Sequence, residues 1–288
     1  MTSNMSEFER LAYRYIPAHS SPEAPLVVFA HGFLGAGDDW DAVNQALPEY
    51  HQLTIDLPGH GKSCLVQGVS FDQVCRMITA TILDCIQAHK LSATVPVCLV
   101  GYSLGARLLM YLMTKHRTTN ETINELNISG LVIEGGNFGL PDDEQKAARW
   151  LSDSQWAQRF EQEEISVVLA DWYQQTVFSS LNHEQRQLLI AKRSVNLGSA
   201  LSDMLLATSL AKQPDLLPSV KTLLFSKHRK PLYVCGEFDN KFTQLAVGSG
   251  LDYEPIARAG HNVHKEQPVA FASRLRTYLE QMSSGSEK

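Results

Sequence analysis

The sequence predicts an α/β fold in which helices cover both faces of a mostly parallel, doubly wound sheet. Two observations predict it: short, mostly continuous apolar runs, typical of strands buried on both faces, and the helical patterns that separate them. The apolar runs cover residues 26–30, 53–55, 95–100, 128–133, 232–235 and 253–256. The helical patterns, with apolar side chains at three- and four-residue spacing, cover residues 39–47, 71–89, 107–116 and 268–282.

The alternation of strands and helices breaks between about residues 140 and 210. This region is rich in Gln, Glu, Trp and Arg, has helical periodicity and contains no convincing strand, so we interpret it as a helical cap inserted between two core strands. The predicted organisation is a core domain in two parts, residues 1–138 and 211–288, with the cap at 139–210. A cap above the strand ends would decide which substrate fits and how water is excluded.

Composition narrows the class of function. The 288 residues, 44% of them hydrophobic, are enough for one large core, and a net charge of −6 argues against nucleic-acid binding as the main role. No apolar run approaches the length of a membrane span, and residues 1–10 lack the pattern of a secretory signal, so we expect a cytoplasmic protein. We expect it to be a monomer or a homo-oligomer.

The five scattered cysteines indicate reduced core thiols. His261 and His264 lack a third ligand nearby, so we expect no metal. We expect no organic cofactor either.

One motif predicts the chemistry. Gly101-Tyr102-Ser103-Leu104-Gly105 lies between an apolar strand and a helix, which is the pattern of a nucleophile elbow. A strand that turns sharply into a helix forces the turn residue into strained backbone angles, and glycines on either side remove the Cβ atoms that would clash. Ser103 is therefore predicted to stand exposed at the tip of the turn, where the helix N-terminus favours developing negative charge.

A base and an acid follow in the order expected of a triad on this kind of turn. Asp239 comes after the strand at 232–235, and His261 comes after the strand at 253–256, so both lie where strands end. An imidazole titrates near neutral pH and can accept the serine proton while a carboxylate fixes its other nitrogen. Glu134, at the end of an earlier strand, is the alternative acid, and spacing does not exclude it.

The turn after the first buried strand, His31-Gly32-Phe33-Leu34-Gly35, predicts half of an oxyanion hole. We nominate the backbone amides of Phe33 and Leu104, the second being the residue after the nucleophile. His31 is interpreted as part of a tight turn. Asp56 and His60, in a second motif at residues 55–63, are interpreted as structural groups that satisfy backbone polar atoms.

Four segments together carry a family resemblance: residues 101–107, 31–35, 236–242 and 260–264. With the cap segments 147–150 and 171–175, they resemble the 2-succinyl-6-hydroxy-2,4-cyclohexadiene-1-carboxylate synthases of menaquinone biosynthesis, which have the α/β-hydrolase fold. Ala106 departs from the second glycine that is common after this elbow. The resemblance implies elimination of pyruvate from an enolpyruvyl cyclohexene substrate rather than hydrolysis, with Ser103, activated by His261 and Asp239, acting as the base.

The resemblance also implies a substrate with several carboxylates, for which a partly dehydrated pocket needs paired cations. The substrate-binding residues that it implies are Tyr102, Arg107, Arg149, Trp172, Tyr173 and Lys241. For each cation the alternative is a solvated surface charge, and for Trp172 it is an anchor between cap and core.

Two rival functions remain open. A carboxylesterase, thioesterase or C–C bond hydrolase would use the same Ser103, His261 and Asp239 with water as the second substrate. A non-catalytic ligand receptor on this scaffold is a different class, and it is disfavoured because such a protein often loses part of the triad.

Overall fold

The computed structural model describes residues 10–119, 121–225 and 228–283. In this part of the chain, seven strands form one sheet in the order β1-β3-β2-β4-β5-β6-β7, and β1 is antiparallel to its neighbour while the other strands are parallel. The strands are β1 (Tyr13–Ile16), β2 (Leu26–Ala30), β3 (His51–Ile55), β4 (Val97–Tyr102), β5 (Ile128–Glu134), β6 (Leu232–Gly236) and β7 (Asp252–Ile256). Residues 1–9, on which most of the expectation about a secretory signal rests, lie outside the described residues.

Helices connect the strands. The α-helices of the described residues are α1 (Asp41–Gln45), α2 (Phe71–Ala88), α3 (Leu104–Tyr111), α4 (Arg117–Thr119), α5 (Asp143–Gln162), α6 (Ile165–Trp172), α7 (His183–Arg193), α8 (Gly198–Ala207), α9 (Leu217–Lys221), α10 (Asn240–Ser249), α11 (Val263–Glu266) and α12 (Pro268–Ser283). A π-helical turn, Leu112–His116, continues α3. Short 3₁₀ turns cover Gly37–Trp40, Gly61–Ser63, Glu121–Glu125, Thr176–Phe178 and Leu210–Lys212.

The predicted fold class is confirmed, because all six apolar runs form strands of one sheet with helices on both faces. Strand β2 shows why its sequence is continuously apolar. Leu26 and Val28 contribute to the apolar cluster that includes α2 and α3, whereas Val27 and Phe29 contribute to the cluster that includes α1 and α12. A strand covered on both sides therefore has no polar face.

Strand β1 lies outside the predicted runs. Its four residues, Tyr13–Ile16, pair with β3 only, at the edge of the sheet, and Arg14 in the middle is exposed. An edge strand that is half exposed has no continuous apolar signal, so periodicity does not reveal it.

Helices α5 to α8 fall between β5 and β6, in the region interpreted as the cap. They contain an apolar cluster of their own, which includes Ala157, Phe160, Leu169 and Leu201 and which reaches Leu34 in the loop after β2. This contact places the helices of the predicted cap above the carboxyl ends of the strands, where ligands bind in open α/β sheets. The exact bounds of cap and core remain a prediction.

Two buried imidazoles hold the loop after β2. His60 Nε2 accepts a hydrogen bond from the Leu34 N–H (3.1 Å), and its Nδ1 lies 2.8 Å from the Pro58 carbonyl oxygen. His31 likewise accepts from the Leu57 N–H at Nε2 (2.9 Å) and donates from Nδ1 to the Gly32 carbonyl oxygen (2.7 Å). Because each ring accepts at one nitrogen and donates at the other, both imidazoles are neutral. Their structural interpretation from the sequence agrees with these contacts.

The pH dependence of stability follows from these neutral rings. Burial lowers the pKa of His60 to about 3 and also lowers the pKa of His31. In the unfolded chain an imidazole has a pKa of about 6.5, so below that pH the unfolded state takes up protons that the folded state refuses. The free energy of unfolding is therefore expected to fall from pH 6.5 towards pH 3, by at most about 1.4 kcal/mol per pH unit for each ring.

Urea unfolding at a series of pH values checks this expectation. Between pH 6 and pH 4, His60→Gln should reduce the slope of the unfolding free energy against pH by about the contribution of one imidazole. Glutamine also offers a hydrogen-bond acceptor, but it does not titrate. His19→Gln, which removes an exposed imidazole, is the matched control and should leave the slope unchanged. An equal slope in His60→Gln and the parent protein would show that His60 does not couple folding to protonation.

Candidate active site

The backbone at Ser103 is strained. Its φ is 49° and its ψ is −105°, directly before the first residue of α3, and such angles cost of order 1–3 kcal/mol. A Cβ atom at Gly101 would lie 2.5 Å from the Ala106 nitrogen, and one at Gly105 would lie 2.2 Å from the Ala30 carbonyl oxygen. The two glycines thus let β4, α3 and β2 pack closely enough to force the sharp turn that presents Ser103.

His261 is paired with Asp239. Its Nδ1 lies 2.7 Å from Asp239 Oδ2, and both side chains are only 5% exposed. Asp239 is fixed in turn because its other oxygen accepts the Phe242 N–H (3.2 Å) at the start of α10, and the Phe242 ring lies 4.5 Å from the imidazole. A carboxylate at Nδ1 orients the ring so that Nε2 is the nitrogen left to accept a proton.

The loop that carries His261 is anchored at both sides of the histidine. Glu266, at the end of α11, accepts hydrogen bonds from the backbone N–H groups of Gly260 (2.9 Å) and Asn262 (3.3 Å). These two hydrogen bonds give a structural reason for an acid, Glu266, five residues after His261. Burial raises the pKa of Glu266, while the two N–H donors act in the opposite direction.

Glu134, the alternative acid, has a different partner. Its carboxylate lies 2.8 Å from Nδ1 of His264 and accepts the His264 backbone N–H at 3.0 Å, with both side chains almost completely buried. The structure therefore places Asp239, and not Glu134, against the imidazole of His261.

The amides of Phe33 and Leu104 flank the same turn. Leu104 begins α3, and the first N–H groups of a helix have no acceptor within it. Within the described residues, neither amide donates a hydrogen bond to another protein group. Leu34, next to Phe33, has a positive φ of 69°, and its N–H is held by His60, which fixes the orientation of the peptide groups in this loop.

One cavity of about 520 Å³ contains the predicted catalytic side chains. Ser103, Asp239 and His261 line it together with Phe33, and further walls come from α5, α6, the 3₁₀ turn that follows, α7 and the start of α10. Tyr102, Arg149, Trp172, Tyr173 and Lys241, all implied by the family resemblance, also line the cavity. Trp172 packs against Phe33 as well, with ring centroids 5.2 Å apart, so it joins cap and core besides lining the cavity.

Two cations of the cavity, Arg149 and Lys241, lie close enough for their charges to interact. Burial and the charge of Arg149 both lower the pKa of Lys241, while the charge of Asp239 acts in the opposite direction. Arg149 donates from Nε to the buried Asp153 (2.8 Å), which fixes its guanidinium on α5. Like charges this close, in a partly dry cavity, raise its positive potential and favour an anionic ligand.

Arg107 is not a lining residue of this cavity. Its guanidinium donates to Gln213 Oε1 (2.6 Å) and to the Thr208 carbonyl oxygen (2.6 Å), which ties α3 to the end of α8. Burial lowers the pKa of Arg107 to about 9, and the nearby charge of Arg149 acts in the same direction. Arg107 therefore ties α3 to α8 and does not line the cavity, in contrast to the substrate-binding role that the family resemblance implies.

Arg193 lines the cavity and was not among the predicted residues. It ends α7, is nearly buried, and donates from Nη2 to Asp39 Oδ2 (2.5 Å), while Lys192 Nζ lies 3.0 Å from the same carboxylate. Burial opposes the ionisation of Asp39, but Arg193 and Lys192 hold the pKa of that carboxyl well below its usual range. A Lys-Arg pair at the end of a helical pattern is the only sequence signal, and it is shared by many surface helices.

The described residues, 10–119, 121–225 and 228–283, contain neither a cluster of metal ligands nor a membrane-spanning helix. Among them, no three His, Cys, Asp or Glu side chains come together as metal ligands. No described helix combines the length and the apolar character that crossing a bilayer requires.

Comparisons with known proteins show the family of the chain. The profile of the alpha/beta hydrolase family matches residues 27–274. A 2-succinyl-6-hydroxy-2,4-cyclohexadiene-1-carboxylate synthase from Yersinia enterocolitica is 43% identical over 259 residues, 90% of this chain and 88% of the relative. The synthase of the same name from Escherichia coli O1:K1 is 41% identical over 261 residues, 91% of this chain and 96% of the relative.

Solved structures show the same fold. MenH from S. aureus superposes with a TM-score of 0.80 at 24% identity, covering 93% of this chain and 98% of that one. A thermophilic esterase from Thermogutta terrifontis superposes with a TM-score of 0.66 at 20% identity, covering 94% and 93%. By its sequence and its sheet, the chain belongs to the α/β-hydrolase family and, within it, to the 2-succinyl-6-hydroxy-2,4-cyclohexadiene-1-carboxylate synthases.

Proposed function

We propose that this protein is a carbon–oxygen lyase that eliminates pyruvate from 2-succinyl-5-enolpyruvyl-6-hydroxy-3-cyclohexene-1-carboxylate to give 2-succinyl-6-hydroxy-2,4-cyclohexadiene-1-carboxylate, a step of menaquinone biosynthesis. The observation that carries the proposal is a single cavity that holds Ser103, the His261–Asp239 pair and several cations. Relatives at 41–43% identity, which bear the name of the product's synthase, support it.

The names of substrate and product define which bonds change. The ring double bond at C3 becomes two, at C2 and C4, so the proton is lost from C2, beside the succinyl carbonyl, and the C5–O bond to the enolpyruvyl group breaks. The leaving group departs with the electron pair of the C5–O bond as the enolate of pyruvate, which takes up one proton at carbon, equivalent to the proton lost from C2, to become pyruvate. No water is consumed, and no oxidant or reductant is needed.

In the proposed mechanism Ser103 removes the C2 proton. His261 accepts the Ser103 proton at Nε2, and Asp239 stabilises the imidazolium through the 2.7 Å contact at Nδ1. Negative charge then moves onto the succinyl carbonyl oxygen, where the N–H groups of Phe33 and Leu104 are free to donate. One such donor typically contributes about 3–4 kcal/mol to a transition state of this kind.

The cations bind the carboxylates of the substrate. Arg149 and Lys241 face the cavity from the cap and from α10, and Arg193 faces it from the end of α7. Arg107 adds positive charge behind Arg149 while it holds Gln213 and Thr208. Tyr102, Trp172 and Tyr173 supply aromatic walls that exclude water and so strengthen these charge interactions.

The proposal requires neither a metal nor an organic cofactor. It places the enzyme in the cytoplasm, as a monomer or a homo-oligomer, with a small polycarboxylate as its ligand and no nucleic-acid or membrane partner. A carboxylesterase, thioesterase or C–C bond hydrolase is the alternative, since such an enzyme would use the same three side chains.

Replacement of the serine tests the proposed base. Ser103→Ala should reduce pyruvate release by on the order of 10³-fold or more, because the proton acceptor is lost while the amides and the cations remain. The measurement follows pyruvate through lactate dehydrogenase, with the enolpyruvyl substrate generated in place by the preceding enzymes. The thermal unfolding midpoint should not fall.

The parent protein is the control for that experiment. If it releases no pyruvate above the uncatalysed background, the lyase proposal is wrong and a hydrolase with this triad is the better explanation. If Ser103→Ala retains most of the parent rate, a different group removes the proton.

Removal of a cation tests the carboxylate clamp. Arg149→Ala should lower kcat/KM for the polycarboxylate about 10- to 100-fold, since a hydrogen bond between charged groups contributes about 1.5–3 kcal/mol. Any hydrolysis of p-nitrophenyl acetate should change little, because that ester has no carboxylate to bind. Steady-state kinetics with both substrates gives the two numbers.

Lys212→Ala is the matched control, because Lys212 is an exposed cation just after the inserted region and does not line the cavity. It should leave both activities near the parent values. Equal losses of both activities in Arg149→Ala would instead indicate damage to the fold or to the triad and would contradict the clamp.

A further inference from the structure

A second pair of imidazole and carboxylate lies directly behind the proposed catalytic pair. His264 Nδ1 is 2.8 Å from one oxygen of Glu134, and the His264 backbone N–H donates to the other oxygen at 3.0 Å. The exposed fractions of the two side chains are 1% and 0%. The proposed reaction uses neither residue, and neither lines the cavity.

The pair is attached to the nucleophile turn through Glu134. The backbone carbonyl of Glu134 accepts the Ser103 N–H at 2.8 Å, and in the sheet Glu134 is the direct neighbour of Tyr102. Glu134 therefore links two elements: its side chain is bonded to His264 in α11, and its backbone is paired with the end of β4. Glu134 thus carries both this carboxylate and the backbone carbonyl that accepts the Ser103 N–H. A shift of the carboxylate would therefore displace a residue that is hydrogen-bonded directly to Ser103.

The ring of Tyr102 lies where the pair and the active site meet. Its centroid is 4.8 Å from that of His264 and 5.3 Å from that of His261. On its other side it touches Gly32, where an added Cβ atom would come within 2.6 Å of two ring carbons. Gly32 directly precedes Phe33, whose amide is one of the proposed oxyanion donors. The Tyr102 ring thus separates the oxyanion loop from the base.

His264 has little freedom to move away from Tyr102. Its opposite face is stacked on Trp40 at a centroid distance of 4.0 Å, and Phe271 borders it at 6.4 Å. Trp40 itself is completely buried against Phe29 of β2. The imidazole is therefore wedged between aromatic rings that belong to the core.

Stability alone does not explain such a pair. Removing an imidazole and a carboxylate from water offsets most of their attraction, and apolar residues of similar size often give equal or greater stability. The arrangement is better explained by geometry, because a hydrogen-bonded pair fixes the orientation of a ring that an apolar contact leaves free.

We propose that Glu134 and His264 are positioning residues that hold the Tyr102 ring between Gly32 and His261 and so set the distance between the base and the oxyanion donors. This role rests on the proposed function, in which both groups act on one substrate. Misplacement of catalytic groups by about 1 Å lowers turnover by up to about 100-fold, whereas carboxylate binding by the cations is unaffected. The expected signature is therefore a loss in kcat with little change in KM.

The experiment compares Glu134→Gln and His264→Gln with the parent protein. We expect kcat for pyruvate release to fall on the order of 10- to 100-fold in each variant, with KM within about threefold of the parent value. In the double variant the loss should be about that of one single variant, because the two residues act as a unit. The rate at which a p-nitrophenyl phosphonate inactivates Ser103 should fall by a similar factor.

His116→Gln is the matched control. His116 is also a buried imidazole beside a carboxylate, with its Nδ1 3.3 Å from Asp72, but it lies on the π-helical turn and does not line the cavity. It should lower the unfolding midpoint without changing kcat. A loss of stability with unchanged kcat in Glu134→Gln or His264→Gln would overturn the proposal, because both residues would then be merely structural.

The rate of Ser103 inactivation by the phosphonate distinguishes failure of the proposed function from failure of the positioning role. If the parent protein releases no pyruvate, the lyase function fails, but the inactivation rate of Ser103 still tests the positioning role. If His264→Gln does not fold, Glu134→Gln, which preserves the volume and a hydrogen bond to His264, decides the matter alone. An inactivation rate equal to that of the parent protein in a folded variant would overturn the proposal independently of the reaction.

Discussion

The close approach of strands β2 and β4 and helix α3 at Ser103 is the constraint on which the site depends. Gly105 lies so near the Ala30 carbonyl that no side chain fits, and this contact ties the nucleophile turn to the strand that leads into the oxyanion loop. The strain at Ser103 persists because the surrounding backbone determines it from both sides. The serine hydroxyl and the proposed oxyanion donors therefore keep their places without any help from the substrate.

Charge is the second constraint, and it acts across the boundary between the inserted helices and the core. Asp39 lies in the core, shortly after the oxyanion loop, and Arg193 lies at the end of α7 in the inserted region. The two side chains form a nearly buried ion pair. Since Asp39 neutralises part of this charge, a substrate carboxylate would have to share Arg193 with it. The cavity thus already contains a protein anion beside Arg193, and an anionic ligand would enter a charge network that already has its geometry.

What the sequence could predict follows from how local each signal is. The six predicted strands and the turn at Ser103 depend on neighbouring residues, and apolar runs and glycine spacing reveal them. Arg193 and Asp39 are 154 residues apart, and nothing near either one indicates the other. Arg107 is a related case: the family resemblance implies that it binds substrate, but Gln213 and Thr208, which come from a distant segment, accept hydrogen bonds from its guanidinium.

The two imidazole–carboxylate pairs show why residue types alone do not assign chemical roles. His261 and His264 are three residues apart, and each faces a buried acid at about the same distance, 2.7 and 2.8 Å. Only access differs: His261 borders the cavity, whereas His264 is enclosed by Trp40, Tyr102 and Phe271. In the proposed mechanism the base accepts a proton from Ser103 inside the cavity, so this difference in access favours His261 as the base and leaves His264 the positioning of its neighbours.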